Sequence, residues 1–217
     1  MEEITRLIAV RHGETAWNVG TRIQGHIDIG LNATGLWQAE RTGQALADEP
    51  IGVIYASDLS RAWQTAEAIA KPHGLPVQPE PRLRERAFGD LEGMSFAEIE
   101  AMKPEEAKRW RERDPEFEPV GGESLLTFRD RITGVASELA ARHPGELVTL
   151  VAHGGVMDVL YRAATRQALQ APRTWQLGNA AINRMLWTPE GFSLVGWSDT
   201  AHLAHPDAGN ALDETTT

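Results

Sequence analysis

Three short apolar runs most constrain the fold of this chain, because each is followed by residues suited to binding an anion. The runs cover residues 7–10, 53–56 and 147–152, and none contains a charged side chain. Runs of this length predict buried strands. Where buried parallel strands end, α/β proteins open a crevice that holds their ligands. The sequence therefore predicts an α/β fold with a ligand site at the ends of these strands.

The side chains after these runs indicate what the site binds. Arg11 and His12 follow the first run, Arg61 follows the second after a short gap, and His153 follows the third directly. Arginine binds phosphate oxygens through its planar fork of donors, and a helix N-terminus adds backbone N–H groups. A single Arg-His pair is as often a solvated surface pair as part of a site. Here three apolar runs are each followed by a cationic or imidazole side chain, which argues against coincidence. We expect these side chains to converge on a phosphoryl group that a neutral His12 imidazole attacks.

Phosphoryl transfer also needs a proton for the leaving oxygen. Glu85, which stands between Arg84 and Arg86, is the candidate donor. An Arg-Glu-Arg run is more often a solvated face, so the residues alone leave both interpretations of Glu85 open.

Composition excludes several classes of protein. The net charge of −10 disfavours a nucleic-acid partner, because such binding uses clustered Lys and Arg. No apolar stretch approaches the roughly 20 residues that span a bilayer, and the acidic N-terminus lacks the features of a signal peptide. The chain has no cysteine, which rules out disulfides and thiolate chemistry and fits a reducing cytosol. We expect a cytoplasmic protein with no membrane or nucleic-acid partner.

Five further histidines lie in predicted loops or near the C-terminus, and no pair has the spacing of a helical metal motif. They are His26, His73, His143, His202 and His205. We expect these histidines to be solvated, and we expect no metal site and no cofactor.

The apolar spacing also predicts how the rest of the chain is organised. Helices are expected over residues 36–46, 61–70 and 124–141 and after His153, and residues 183–187 and 192–197 predict a strand hairpin. Ser60 or Asp58 is the expected N-cap of the second helix. From residue 88 to about 124, prolines break the chain into short helical pieces that suit a cap. We predict one domain over residues 1–201 that carries this cap, and a disordered tail over residues 202–217.

Four motifs together resemble those of the histidine phosphatase superfamily, also called phosphoglycerate mutase-like. They are Arg-His-Gly-Glu-Thr at 11–15, Ser-Asp-Leu-Ser-Arg at 57–61, Leu-Arg-Glu at 83–85 and Ala-His-Gly-Gly at 152–155. They stand in the family's order, and the resemblance spans residues 5 to about 197. It implies a three-layer α/β/α sandwich with a mostly parallel central sheet and a small, mainly helical cap. It also implies a covalent phosphohistidine mechanism without a metal.

The resemblance assigns roles to individual residues. His12 matches the nucleophile, and Arg11, Arg61 and His153 match residues that bind the transferring phosphoryl group. Glu85 matches the acid that protonates the leaving alcohol and then activates the hydrolytic water. Further substrate-binding residues are expected at Asn18, Thr15, Gln24, Gly154 and Phe88, with Trp110 as a second aromatic candidate.

The same resemblance leaves alternatives for the activity. The family's mutases use further residues to bind a second anionic group. These are a His-Tyr pair, which follows the Arg next to the acid, a Lys, and an Arg pair in the cap. This chain has Ala87 and Phe88, Phe96 and Glu112 at or near those positions, which favours the broad phosphatase branch. We expect a phosphomonoesterase whose partner is a small-molecule phosphate ester. A phosphoglycerate mutase is the first alternative and a non-catalytic phosphate-ester-binding or interaction module the second; a homodimer and the physiological substrate stay open.

Overall fold

A six-stranded sheet forms the centre of the computed structural model, which describes residues 4–204. The strands are β1 (Thr5–Arg11), β2 (Ile51–Ala56), β3 (Val77–Pro79), β4 (Leu147–Ala152), β5 (Ile182–Thr188) and β6 (Gly191–Asp199). Their order across the sheet is β3-β2-β4-β1-β5-β6. Neighbours among β1 to β4 pair in parallel, whereas β5 pairs antiparallel with both β1 and β6. The predicted mostly parallel sheet and the hairpin at its end are confirmed.

Helices cover both faces of this sheet. They are α1 (Ala16–Val19), α2 (Ala33–Ala45), α3 (Ser60–Ala70), α4 (Phe96–Met102), α5 (Pro104–Arg111), α6 (Leu125–Ala141) and α7 (Gly154–Thr165). Alternate side chains of β1 point to opposite faces. Leu7 and Ala9 pack with α6 and α7, whereas Ile8 and Val10 join a core that includes α3. The expected three-layer α/β/α sandwich is confirmed.

Residues 88–124, which are called the cap below, carry the short helices that their prolines predict. Pro104 opens α5, where its missing N–H costs no helical hydrogen bond. α4 and α5 bury a small apolar core of their own, built on Leu91, Ile99 and Phe117. This core is separate from the two cores on the faces of the sheet.

Two local predictions are wrong. Neither Ser60 nor Asp58 caps α3 with its side chain: Asp28 reaches across to accept hydrogen bonds from Ser60 N at 2.7 Å and Ser60 Oγ at 2.8 Å. Asp58 instead pairs with Arg84 at 2.6 Å. Because Asp28 lies 32 residues before Ser60, this hydrogen bond at the start of α3 leaves no signal in the neighbouring sequence.

The predicted tail starts too early. Ala201–Leu203 forms a 3₁₀ turn, and His202 Nε2 lies 3.1 Å from both Ala180 O and Thr42 Oγ1. His202 is therefore not solvated, and burial lowers its pKa. His205 and the rest of the predicted tail lie outside the described residues. Within residues 4–204 no helix has the length and apolarity that a membrane span requires.

Candidate active site

The ends of three adjacent strands bring the two catalytic-candidate histidines together. β4 lies between β1 and β2 in the sheet, so the residues after these strands share one edge. The ring centroids of His12 and His153 lie 5.3 Å apart, and both side chains are buried. The structure thus brings together residues that are far apart in sequence, as predicted.

The backbone around His12 fixes which ring nitrogen is free. His12 Nδ1 lies 2.7 Å from Gly13 O. Because a carbonyl oxygen can only accept, Nδ1 carries the proton and donates a hydrogen bond to Gly13 O. Nε2 then keeps its lone pair. Gly13 has to be a glycine, because a Cβ there would lie 2.5 Å from Gly35 O. Burial, reinforced by the charges of Arg11 and Arg61, holds the His12 pKa well below its ordinary value. The imidazole is neutral at neutral pH, as a nucleophile must be.

His153 faces the same point from the start of α7. Its Nε2 lies 2.8 Å from Ser57 Oγ, whereas its Nδ1 is buried with no hydrogen-bond partner among residues 4–204. Burial, then the charge of Arg61, lowers the His153 pKa well below its ordinary value. Ser57 belongs to a motif that the sequence singles out, but its contact with His153 depends on the pairing of β2 with β4.

Two arginines lie beside the histidines and are held by backbone carbonyls; Arg61 is buried, whereas Arg11 is partly exposed. Arg61, with 1% of its surface exposed, donates to Ile27 O at 2.9 Å and to Gly25 O at 2.8 Å. Arg11 donates to Leu177 O. The Nε atoms of both arginines are buried with no partner within the described part of the chain. Burial lowers both pKa values, and an anion between the two guanidinium groups would offset that cost.

Glu85 lies where two cavities meet. Its Oε2 accepts a hydrogen bond from Gly155 N and its Oε1 one from Arg86 N, both at 2.8 Å. A smaller cavity of about 170 Å³ contains His12 and Arg61, and a larger one of about 530 Å³ opens beside it. Because Glu85 lines both, its carboxyl group stands between the His12 imidazole and the larger cavity.

The remaining predicted substrate contacts fall into three groups. Asn18 and Gln24 line the smaller cavity, Gly154 lines the larger one, and Phe88 and Trp110 line both. The rings of Phe88 and Trp110 are stacked, with their centroids 4.7 Å apart.

Thr15 is placed differently from the prediction. It is completely buried, caps α1 and lines neither cavity. Its hydroxyl lies 3.1 Å from Asn18 Oδ1 and 3.0 Å from Gln24 Oε1. Thr15 therefore contacts the two amide side chains that line the smaller cavity and does not face either cavity itself.

Two loop histidines predicted as solvated make specific contacts. His26 Nε2 lies 2.8 Å from the backbone oxygen of Glu85, and His26 N donates to Glu92 Oε1 at 3.0 Å. His143 Nε2 lies 3.0 Å from Tyr55 Oη. Loop composition predicts exposure, but these loops fold back onto the body of the protein. Among residues 4–204, no three His, Cys, Asp or Glu residues are placed to hold a metal ion together.

Comparison with known proteins identifies the family. The model of the histidine phosphatase superfamily (branch 1) matches residues 7–200. The chain belongs to this superfamily.

Three proteins illustrate what the chain is similar to. A metal-independent phosphoserine phosphatase of Arabidopsis thaliana is 38% identical over 93% of this chain and 84% of its own length. Phosphoglycerate mutase-like protein 4 of the same plant is 36% identical over 93% and 88%. The structure of a phosphoserine phosphatase mutant from Entamoeba histolytica in complex with phosphoserine is 27% identical, with a TM-score of 0.83 over 92% of this chain and all of that one. This histidine phosphatase is thus similar both to phosphatases and to a protein named for the mutases.

Gly155 tests the placement of Glu85. A Cβ at this position would lie 2.2 Å from Glu85 Oε1, so Gly155→Ala must displace the carboxylate. We expect kcat/KM toward a phosphate ester to fall by about 10²-fold, because displacement of a catalytic group by an ångström has an effect of that size. Gly134→Ala on α6 is the matched control, because a Cβ there meets nothing within 4 Å. Equal activity of both variants, each folded by circular dichroism, would contradict this placement.

Proposed function

We propose that the protein hydrolyses a small phosphorylated metabolite through a covalent intermediate on His12. The observation that carries the proposal is the buried His12 ring, held by Gly13 O and set beside two arginines whose Nε atoms have no partner in the described chain. A binding module needs the cations, but it needs neither a free imidazole lone pair nor a carboxyl group between the two cavities.

The first half-reaction transfers the phosphoryl group to His12. Nε2 attacks phosphorus in line, the N–P bond forms and the bond from phosphorus to the ester oxygen breaks. Arg11, Arg61 and His153 stabilise the charge on the nonbridging oxygens. Glu85, in its protonated form, gives its proton to the departing oxygen, and the alcohol leaves through the larger cavity.

The second half-reaction returns the enzyme to its starting state. The Glu85 carboxylate now takes a proton from a water molecule, whose oxygen attacks phospho-His12. The N–P bond breaks, inorganic phosphate is released and His12 recovers its lone pair. One carboxyl group thus acts as acid and then as base at the same place.

Hydrolysis of p-nitrophenyl phosphate in excess EDTA tests the activity. We expect turnover to be unchanged by the chelator, because every proposed role belongs to a side chain. The control is the His12→Ala variant under the same conditions. No turnover at any pH from 4 to 9, or equal turnover by this variant, would refute the proposal.

The mutase alternative has a specific observation in its favour, which is the similarity to a protein named phosphoglycerate mutase-like. Incubation with 3-phosphoglycerate separates the two activities. We expect release of inorganic phosphate to exceed formation of 2-phosphoglycerate. The opposite order would establish a mutase with the same phosphohistidine chemistry.

A further inference from the structure

The larger cavity beside Glu85 carries positive charge that the proposed reaction does not use. We propose that the leaving alcohol of the natural substrate bears a carboxylate and that Arg173, in the loop between α7 and β5, is a specificity-determining contact for it. This inference rests on the proposed hydrolysis and adds the chemical class of the substrate.

The carboxylates of the cavity wall away from Glu85 are already paired. Asp158 Oδ2 accepts from Arg113 at 2.6 Å and from Arg162 at 3.0 Å, whereas Asp158 Oδ1 is buried with no hydrogen-bond partner among residues 4–204. Asp114 pairs with Arg109 at 2.7 Å. Asp158 and Asp114 both line the cavity. Each of these carboxylates thus already has an arginine partner, and neither pairs with Arg173.

Two cations of the same wall have no such partner. Arg173 is exposed, lines the cavity and forms no ion pair or hydrogen bond within residues 4–204. Arg86, with 6% of its surface exposed, donates to Glu123 O at 2.9 Å and Phe117 O at 2.7 Å but pairs with no carboxylate in that part of the chain. Burial lowers the Arg86 pKa to about 10, so Arg86 remains charged at neutral pH.

Like charges surround Arg173. Burial is the main cause of the lowered pKa values of Arg11 and Arg162, and the positive charge of Arg173 lowers both further, which means that Arg173 is repelled by each of them. Glu85 acts on Arg11 and Asp158 pairs with Arg162, whereas no carboxylate pairs with Arg173 in the described part of the chain. An anion beside Arg173 would reduce the repulsion. In a protein with a net charge of −10, this local excess of cations requires a specific reason.

The position of Arg173 also revises the comparison with the mutases. The polar positions that serve a second anion there are occupied here by Ala87, Phe88 and nearby residues, which predicts loss of that subsite. The structure brings Arg173 to the same cavity from a different loop. A cavity of about 530 Å³, walled by the stacked Phe88 and Trp110 rings, suits a small metabolite.

Two substrates that differ only at the proposed contact test this inference. 3-Phosphoglycerate carries a carboxylate where glycerol 3-phosphate carries a hydroxymethyl group. We expect the protein to prefer 3-phosphoglycerate in kcat/KM. Arg173→Gln should reduce kcat/KM for 3-phosphoglycerate by about tenfold, mainly through KM, because one charged hydrogen bond is lost. Its effect on glycerol 3-phosphate should be smaller than about twofold, since only the screened long-range charge changes.

Arg111→Gln is the matched control, because Arg111 is an exposed cap residue that pairs with Glu100 and lines neither cavity. This substitution should leave kcat/KM for both substrates unchanged. Added salt should reduce the preference for 3-phosphoglycerate in the unmodified protein, since Arg173 is exposed. Absence of a preference, or an equal effect of Arg173→Gln on both esters, would overturn the inference while leaving the hydrolase intact. Absence of hydrolysis of both esters and of p-nitrophenyl phosphate would overturn the proposed function and this inference with it.

Discussion

Replacement of His12 by alanine is expected to reduce turnover of any phosphate ester by about 10⁴-fold or more, because the covalent route then lacks its nucleophile. The side chain is buried against Gly13 O and His153, so its removal leaves a small space and no unpaired charge. Steady-state hydrolysis of p-nitrophenyl phosphate measures the effect, and circular dichroism confirms that the variant is folded.

The matched control for this change is His73→Ala. His73 lies in the 3₁₀ turn Lys71–His73 at the end of α3 and lines neither cavity. Its activity should equal that of the unmodified protein. A folded His12→Ala variant within tenfold of normal activity would mean that water, not His12, attacks phosphorus.

Glu85→Gln is expected to lower kcat/KM for alkyl phosphate esters by about 10²–10⁴-fold, the usual contribution of a general acid. Glutamine is similar in size, but it keeps only one acceptor oxygen for the N–H groups of Gly155 and Arg86, and it cannot give a proton to the leaving oxygen. The effect on transfer to His12 should be much smaller with p-nitrophenyl phosphate, because p-nitrophenolate leaves readily without a proton.

The dependence on the leaving group separates acid catalysis from a positional defect. A displaced phosphoryl pocket would slow both kinds of ester equally. Glu118→Gln, on the exposed surface of the cap, removes the same charge and should change neither. Equal losses for alkyl and p-nitrophenyl esters in a single-turnover experiment would contradict the role given to Glu85.

The elements that position His12 were predictable because their signal is local. Residues 147–152 are apolar except for Thr149, and all six are buried in β4. Apolar spacing over 124–141 predicts α6, which runs from Leu125 with Ser124 as its N-cap. Parallel pairing then follows from general rules for α/β folds, and it brings His12 and His153 to one edge.

The contacts around the site were not predictable, because they join segments without regular periodicity. Arg86 stands in a run that is typical of a solvated face, yet the cap packs two aromatic rings against its guanidinium group. Arg86 Cζ lies 5.2 Å from the ring centroid of Phe88 and 5.9 Å from that of Phe117. Thr15 belongs to the most recognisable motif, yet its direction depends on how Gln24 folds back in the following loop. Sequence patterns report burial, and side-chain direction in a loop depends on contacts that form only in the folded protein.

Trapping the phosphorylated protein tests the central claim most directly. A substrate labelled on phosphorus is mixed with the protein for milliseconds, the reaction is quenched in alkali and the label is located by mass spectrometry. We predict phosphate on His12 that forms and decays at rates matching turnover, that hydrolyses in acid and that is missing from His12→Ala. Active protein that shows no label on His12 under these conditions would contradict the covalent mechanism.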